Sequence, residues 1–190
     1  MKPKNILPVK TRAAFRAWLK EHHGSEAECW AAVKRGKAPP DGSLPYLDAV
    51  EEALCFGWID STVKTVGGVV LQRFTPRAAR SAWSELNKER CRRLEKLGLM
   101  TAAGRAALPD MSPGGFAVDG DVERAFRANP EAWDNFRRFP ALYQRVRVDT
   151  VQRQKKDTAV FARRMRKLIE QSAQGKMFGE WNDNGRLVGY

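Results

Sequence analysis

A group of polar residues in the middle of the chain has the types and spacing needed to hold an anion. Asp60 lies in a β-rich segment, Arg73 lies in the next such segment, and Arg77 follows shortly after it. The planar guanidinium group of arginine binds a carboxylate or a phosphate through two parallel hydrogen bonds, and a neighbouring carboxylate orients it. We therefore predict that Asp60 orients one or both arginines toward a small anionic ligand.

The start of the following helix would add to this site. Free backbone N–H groups at a helix N-terminus and the hydroxyls of Ser81 and Ser84 attract an anion, and Trp58 or Trp83 would supply a stacking wall. The predicted ligand-binding residues are Trp58, Asp60, Arg73, Arg77, Ser81, Trp83 and Asn87. The structural alternative is that Asp60 and the arginines pin a hairpin to the helix, Ser81 caps that helix and Trp83 is core.

A basic C-terminal stretch supports a second hypothesis, a nucleic-acid-binding module. The chain has 34 Lys and Arg residues against 22 Asp and Glu, a formal net charge of +12, and residues 137–170 hold eleven basic and three acidic residues. Such a run could follow a phosphate backbone, or it could be a solvated helix face. The residues of this alternative are Arg145, Arg147, Arg153, Lys155, Lys156, Arg163, Arg164 and Lys167.

A third hypothesis is an enzyme in which Asp60 is the general acid or base and Arg73 and Arg77 clamp an anionic substrate, which requires a cleft. The catalytic residues would otherwise be unknown, because the sequence lacks P-loop, His-Glu-x-x-His, Gly-x-Ser-x-Gly and Gly-x-Gly-x-x-Gly patterns. No cofactor is expected. The adjacent His22 and His23 point in different directions on a helix, so no metal site is predicted.

The elements that must position these residues follow an α+β pattern. Gly67 and Gly68 form the two-residue connection typical of a β-hairpin, and Thr11 and Thr101 are predicted helix caps. The sequence Pro-Pro-Asp-Gly at 39–42 predicts a turn. Hydrophobic spacing in the helix that follows leaves Asp48, Glu51 and Glu52 facing water. The predicted elements are helices at 11–23, 45–57, 122–128, 130–139 and 157–173, a helix that starts at Ser81 or Ser84 and ends before Gly98, and strands at 28–34, 58–66 and 69–74.

This pattern predicts an α+β fold, with a small antiparallel sheet that has a central hairpin and is packed by helices, followed by a helical C-terminal segment. Residues 109–121 are rich in Pro, Gly and Asp and are predicted to be a linker. The predicted organisation is an α+β domain at 1–108, this linker, a basic helical segment at 122–176 and a peripheral tail at 177–190.

The cysteines and the apolar segments indicate where the protein acts. Cys29, Cys55 and Cys91 are odd in number, far apart and embedded in apolar stretches, which predicts buried free thiols in a reducing compartment. The N-terminus has no uninterrupted apolar run, and no later stretch is long enough to span a bilayer. We predict a cytoplasmic protein without membrane insertion.

An ordered series of motifs resembles the YdeI/OmpD-associated (bacteriocin-protection, OmdA-like) family. The series is Ala-Leu-Cys-Phe-Gly-Trp-Ile-Asp at 53–60, Arg-Phe-Thr-Pro-Arg at 73–77, Ser-Ala-Trp-Ser at 81–84 and Asn-Lys-Glu-Arg at 87–90. The resemblance covers roughly the first 108 residues. Farther on, Ala159 stands where the family's Ala-Lys-x-x-Thr-Arg-like stretch has Arg. The resemblance implies a bacterial stress- or bacteriocin-protection-like protein with no assigned reaction and no identified protein partner.

Overall fold

A computed structural model describes residues 3–36, 43–79 and 81–190 of the chain. The chain divides into two compact units. Unit 1 consists of Met1–Ala82 and Arg90–Pro109, and unit 2 consists of Trp83–Glu89 and Asp110–Tyr190. The turn predicted at 39–42 lies outside the described residues. The mixed architecture confirms the predicted α+β fold class.

Unit 1 contains the β-sheet. Within the described residues the strand order is β1-β2-β5-β4, and β3 pairs with β2. The three longer strands β2, β5 and β4 pair in antiparallel fashion as predicted, whereas the two-residue strands β1 and β3 pair with β2 in parallel and were not predicted. The strands are β1 (Ile6–Leu7), β2 (Cys29–Lys34), β3 (Leu44–Pro45), β4 (Trp58–Val66) and β5 (Val69–Pro76).

The hairpin between β4 and β5 turns where the sequence predicts it. Val66 pairs with Val69, so Gly67 and Gly68 alone form the connection. Both glycines have positive φ angles, 55° and 77°. A two-residue turn with positive φ at both positions matches the right-handed twist of the flanking strands, and glycine adopts it without steric cost.

Unit 1 contains three whole helices, α1 (Arg12–His22), α2 (Tyr46–Cys55) and α4 (Ala102–Ala106). Helix α3 (Glu85–Lys96) is divided, and its first five residues belong to unit 2. Side-chain oxygens cap three of these helices: Thr11 accepts from Ala14 N at 3.2 Å, Thr101 from Gly104 N at 3.2 Å and Ser84 from Asn87 N at 3.2 Å. The core joins α1 to the sheet, where the Phe15 and Phe74 rings lie 5.1 Å apart.

The acidic residues of α2 correct one prediction. Glu51 and Glu52 are 0% and 1% exposed, so the expectation that they face water is wrong. Arg12 donates to both carboxylates at 2.7 and 2.6 Å, Arg16 to Glu52 at 2.7 Å, and Arg93 to Glu51 at 2.9 Å. Buried carboxylates require such charge-assisted partners, and the arginines of α1 and α3 supply them.

Unit 2 is helical, with α5 (Gly120–Arg127), α6 (Pro130–Arg138), α7 (Ala141–Gln152) and α8 (Thr158–Ala173). Its apolar core contains Phe126 and Phe136, whose rings stack at 4.4 Å. Residues 177–190, predicted as a peripheral tail, contact α7: the Phe178 N–H donates to the Tyr143 hydroxyl at 3.3 Å, and the Trp181 ring meets Tyr143 edge-on. Among the described residues, no helix combines the length and the apolar character needed to cross a bilayer.

Candidate functional site

Asp60 is the centre of the candidate site, but its partner is not one of the predicted arginines. It lies on β4 and is half-buried. The hydroxyl of Tyr46, the first residue of α2, donates to Asp60 Oδ2 at 2.8 Å. The helix therefore positions a phenol against the carboxylate, and the two groups form a polar pair at the edge strand β4.

Sheet register explains why Arg73 does not join Asp60. Asp60 pairs with Phe74, so these two side chains share one face of the sheet, and Arg73, the next residue, points to the opposite face. There the Arg73 guanidinium forms an ion pair with Glu28, with Nε donating to Oε2 at 2.7 Å. The hypothesis that Asp60 orients Arg73 is therefore wrong, because the sheet separates the two groups.

The other predicted site residues are distributed over both units. Arg77 and Ser81 meet in unit 1, where Nη1 of the arginine donates to the serine hydroxyl at 3.1 Å. Trp58 is 1% exposed, and its indole N–H donates to the carbonyl of His23 at 3.1 Å, so it is a core residue. Trp83 and Asn87 belong to unit 2.

Arg35 takes the place predicted for Arg73. Its guanidinium carbon lies 3.5 Å from the centroid of the Tyr46 ring, a stacked arrangement that combines cation–π attraction with planar contact. The side chain belongs to an exposed residue, and its hydrogen bond, from Nη2 to Gln72 Oε1, is long at 3.4 Å. We call Arg35, Tyr46, Asp60 and Gln72 the Asp60 cluster.

Gln72 ties the cluster to an irregularity in the sheet. The β4–β5 register shifts between Asp60 and Val63, as at a β-bulge. The buried Gln72 amide donates to the carbonyls of Ser61 and Thr62 at 3.2 and 3.3 Å, which satisfies backbone groups that the bulge removes from the ladder. The bulge and Gln72 together fix the end of β4 on which Asp60 lies.

Electrostatics at Tyr46 reflect this arrangement. Burial raises the pKa of the Tyr46 hydroxyl above its usual range, and the neighbouring Asp60 carboxylate raises that pKa further, while Arg35 and Arg90 oppose the shift. Tyr46 therefore stays protonated and acts as a hydrogen-bond donor at neutral pH. The effect of Arg90 also shows that a second guanidinium group lies close enough to act on the cluster.

The three thiols of unit 1 are chemically inert. Cys29, Cys55 and Cys91 are free and buried, as predicted. Burial raises the pKa of Cys29 and Cys91 to about 12 and that of Cys55 to about 11. Because the thiolate is the reactive form, none of them is suited to act as a nucleophile.

The basic residues proposed for nucleic acid do not form one continuous free surface. Three are ion-paired: Arg145 with Glu89 at 3.1 Å, Arg153 with Asp149 at 3.8 Å, and Lys155 with Asp119 and Asp121 at 2.7 Å. Arg147 and Arg164 donate to backbone carbonyls, and Lys167 lies over the Phe178 ring. Lys156 and Arg163 are exposed.

Sequence patterns missed Arg35 and Tyr46 for identifiable reasons. Arg35 lies at the end of β2 and Tyr46 at the start of α2, and neither is in a motif with Asp60. The available signal was the position of Tyr46 immediately after Ser-Leu-Pro at 43–45, where the predicted helix begins. Placing its ring beside Asp60 requires knowledge of how α2 packs on the sheet.

Comparison with known protein families gives two matches, one to each part of the chain. Residues 7–107 match a family described as a domain of unknown function (DUF8412). This match covers just over half of the chain, so the chain belongs to that family. Residues 116–175 match the family described as Bacteriocin-protection, YdeI or OmpD-Associated.

The second match confirms the predicted resemblance to the YdeI/OmpD-associated family. It falls on the C-terminal segment, where the sequence motifs fitted less well, and not on the first 108 residues that carried the prediction. No curated protein and no solved structure gives a significant match to the chain.

Proposed function

We propose that this chain is a bacterial stress- or bacteriocin-protection-like protein that binds a small anionic ligand at the Asp60 cluster. The match at residues 116–175 supports the protective role. The stacking of the exposed Arg35 guanidinium on Tyr46 is the observation that carries the binding activity. The three free, buried thiols support action in the reducing environment of the cytoplasm.

The charge of the cluster favours an anion. Asp60 contributes one carboxylate, whereas Arg35 and Arg90 both act on Tyr46 as cations. These cations act on a chain whose formal net charge is +12. Such a field concentrates small anions near the site and excludes cations.

The geometry of Arg35 favours a ligand with paired oxygens. Stacking on the Tyr46 ring fixes the plane of the guanidinium, which limits the rotamer entropy that the side chain would lose on binding. Its hydrogen bond to Gln72 is long, so most of its N–H donors remain available for a carboxylate or phosphate group. Asp60 engages the Tyr46 hydroxyl and so holds the ring in place.

The test is a thermal-shift and native mass-spectrometry panel of inorganic phosphate, phosphorylated metabolites, small carboxylates, nucleotides and short oligonucleotides. We expect a small anion to raise the Tm of the wild type, since a ligand at about 100 times its Kd stabilises the folded state by about 2.7 kcal/mol. Arg35→Ala should lose the shift, and Arg35→Lys, which keeps the charge without the planar fork, should keep only part of it.

Lys20→Ala is the matched control, because Lys20 is an exposed cation of the same unit on α1. It should retain the full ligand-induced shift. An equal shift in the wild type, Arg35→Ala and Lys20→Ala would contradict binding at the cluster. If protection depends on anion binding at the Asp60 cluster, cells exposed to a bacteriocin should survive better with the wild-type chain than with Arg35→Ala.

Nucleic-acid binding remains the second candidate. Arg163 and Arg166 are exposed on α8, and their spacing of three residues places them on one side of the helix. Stabilisation by oligonucleotides alone, steeply weakened by salt and unaffected by Arg35→Ala, would favour this function over the first.

A further inference from the structure

Unit 2 contains three cations that have no counter-ion among the described residues. Arg147 lies on α7, and Arg164 and Lys167 lie on α8. The Arg147 guanidinium carbon and the Lys167 ammonium nitrogen lie 5.4 and 5.0 Å from the centroid of the same ring, that of Phe178. We call these three residues the Arg147 cluster.

The hydrogen bonds of the cluster go to neutral groups. Arg147 Nη2 donates to the carbonyl of Glu180 at 2.5 Å, and Arg164 Nη1 donates to the carbonyl of Thr150 at 2.8 Å. Within the described part of the chain, no carboxylate lies at ion-pair distance from any of the three cations, and the Glu180 side chain acts on Arg147 only at longer range. By contrast, Arg145 on α7 and Arg153 at the end of that helix both have carboxylate partners.

Arg147 also retains unused donors. Its Nε is buried and has no hydrogen-bond partner in the described part of the chain. Its Nη1 lies beside Gly179, where a Cβ would be 2.5 Å away, and this glycine has a positive φ of 70°. Glycine at 179 therefore allows the guanidinium to approach the backbone closely, and its Nη1 donates to no described residue.

Uncompensated charges of one sign are costly in a partly buried position. Burial lowers the pKa of Arg147, and the neighbouring Arg164 lowers that pKa further. A group with negative charge and several acceptor oxygens would remove this repulsion and accept from the unused N–H groups.

We propose that the Arg147 cluster is a binding site for a small oxyanion of the phosphate class, separate from the Asp60 cluster. The half-buried Arg147, covered by the segment at 178–180, suits a small free anion better than the continuous backbone of a nucleic acid. Lys167 and Arg164 supply the remaining positive charge from the adjoining helix.

Isothermal titration calorimetry with inorganic phosphate, at constant ionic strength set by chloride, tests the site on the full chain. We expect saturable binding by the wild type, weakened about tenfold or more by Arg164→Gln and by Lys167→Gln, because each removes one charge-assisted contact. Arg147→Gln should abolish binding at this site, and the other two variants keep the test valid if that protein does not fold.

Arg163→Gln is the matched control, because Arg163 adjoins Arg164 on α8 but is exposed. It should bind phosphate within about twofold of the wild type. The same variants made in the Arg35→Ala background, which removes binding at the Asp60 cluster, should give the same order of affinities for this site. Equal weakening by Arg163→Gln and Arg164→Gln would show diffuse attraction and overturn the proposal. Binding of a short oligonucleotide without any binding of phosphate would overturn it as well.

Discussion

At the scale of single residues, this chain arranges its polar groups around arginine. Arg12, Arg16 and Arg93 neutralise the buried Glu51 and Glu52. Arg73 holds Glu28, and Arg35 covers Tyr46. Most arginines of unit 1 that meet a carboxylate are thus structural, and the candidate site is distinguished by a guanidinium group that meets an aromatic ring and has donors to spare.

Ser172 is a buried polar residue with an unsatisfied hydroxyl. It lies on α8, is 0% exposed, and its Oγ meets no hydrogen-bond partner among the residues that the structure describes. We expect Ser172→Ala to stabilise the protein by about 1 kcal/mol, because it removes an unpaired buried hydroxyl and has a higher helix propensity. Chemical denaturation measures the change. The exposed Glu170→Ala on the same helix should change stability little, and a loss of stability in Ser172→Ala would show that the hydroxyl has a role in the folded state.

Sequence analysis singled out Asp60, Arg77 and Ser81, of which the structure brings Arg77 and Ser81 together, but it could not identify the partner of Asp60. A strand pattern gives the face of each side chain only when the register is known, and the Asp60–Phe74 pairing depends on the bulge that follows Asp60. Likewise, Glu51 and Glu52 fall on the polar side of α2 by sequence. Only the packing of α1 and α3 brings arginines to that side.

At the scale of elements, the sequence predicted helix starts and strand connections correctly where a capping residue or a glycine turn determines them. The Gly67–Gly68 hairpin and the helix caps at Thr11 and Thr101 follow the sequence. Helix α7 was not predicted. Its β-branched residues and its burial of Tyr143, Val146, Val148, Asp149 and Val151 leave no clear apolar stripe, so the helical period is weak.

The contact between α4 and the end of α2 depends on Gly104. A Cβ at this position would clash with the carbonyl oxygen of Cys55 and lie 2.7 Å from its carbon. The same carbonyl accepts hydrogen bonds from the Thr101 hydroxyl at 2.6 Å and backbone N–H at 3.1 Å. Gly104→Ala should therefore destabilise the protein by about 1–3 kcal/mol, although alanine favours helices.

Thermal unfolding of Gly104→Ala measures this effect. Gly24→Ala is the control, since a Cβ at Gly24 would meet nothing within 4 Å, and it should leave stability unchanged or slightly raised. If both variants are neutral, α4 and α2 adjust to the added methyl group and the contact is not tight.

At the scale of the whole molecule, acid should weaken folding through Glu28. The Trp30 indole, which donates to Glu28 at 3.2 Å, and then the Arg73 guanidinium lower the pKa of this carboxyl. A lowered pKa in the folded state adds stability above the ordinary glutamate range, and this contribution disappears as the pH falls through the folded pKa. The free energy of unfolding of the wild type should thus exceed that of Glu28→Gln at neutral pH, and the difference should disappear as the pH falls.

Denaturant titrations of both proteins between about pH 7 and about pH 3 provide the measurement. The difference between the two free energies of unfolding should shrink toward zero at the acidic end. A difference that is independent of pH would mean that Glu28 contributes through packing alone. The contribution of Asp149 to stability has the opposite pH dependence. Burial raises the pKa of this carboxyl group, so its protonation at low pH favours folding.

The division of α3 between the two units affects how the chain can be cut or recombined. The family matches suggest a boundary between 107 and 116, yet residues 83–89 belong to unit 2, where the Asp149 carboxylate accepts from Glu85 N and Arg145 binds Glu89. A fragment that ends at 109 would carry the first turn of α3 without these partners. The two matched segments are therefore not interchangeable modules, and gene fusions or shuffled relatives would need to transfer residues 83–89 together with the C-terminal segment.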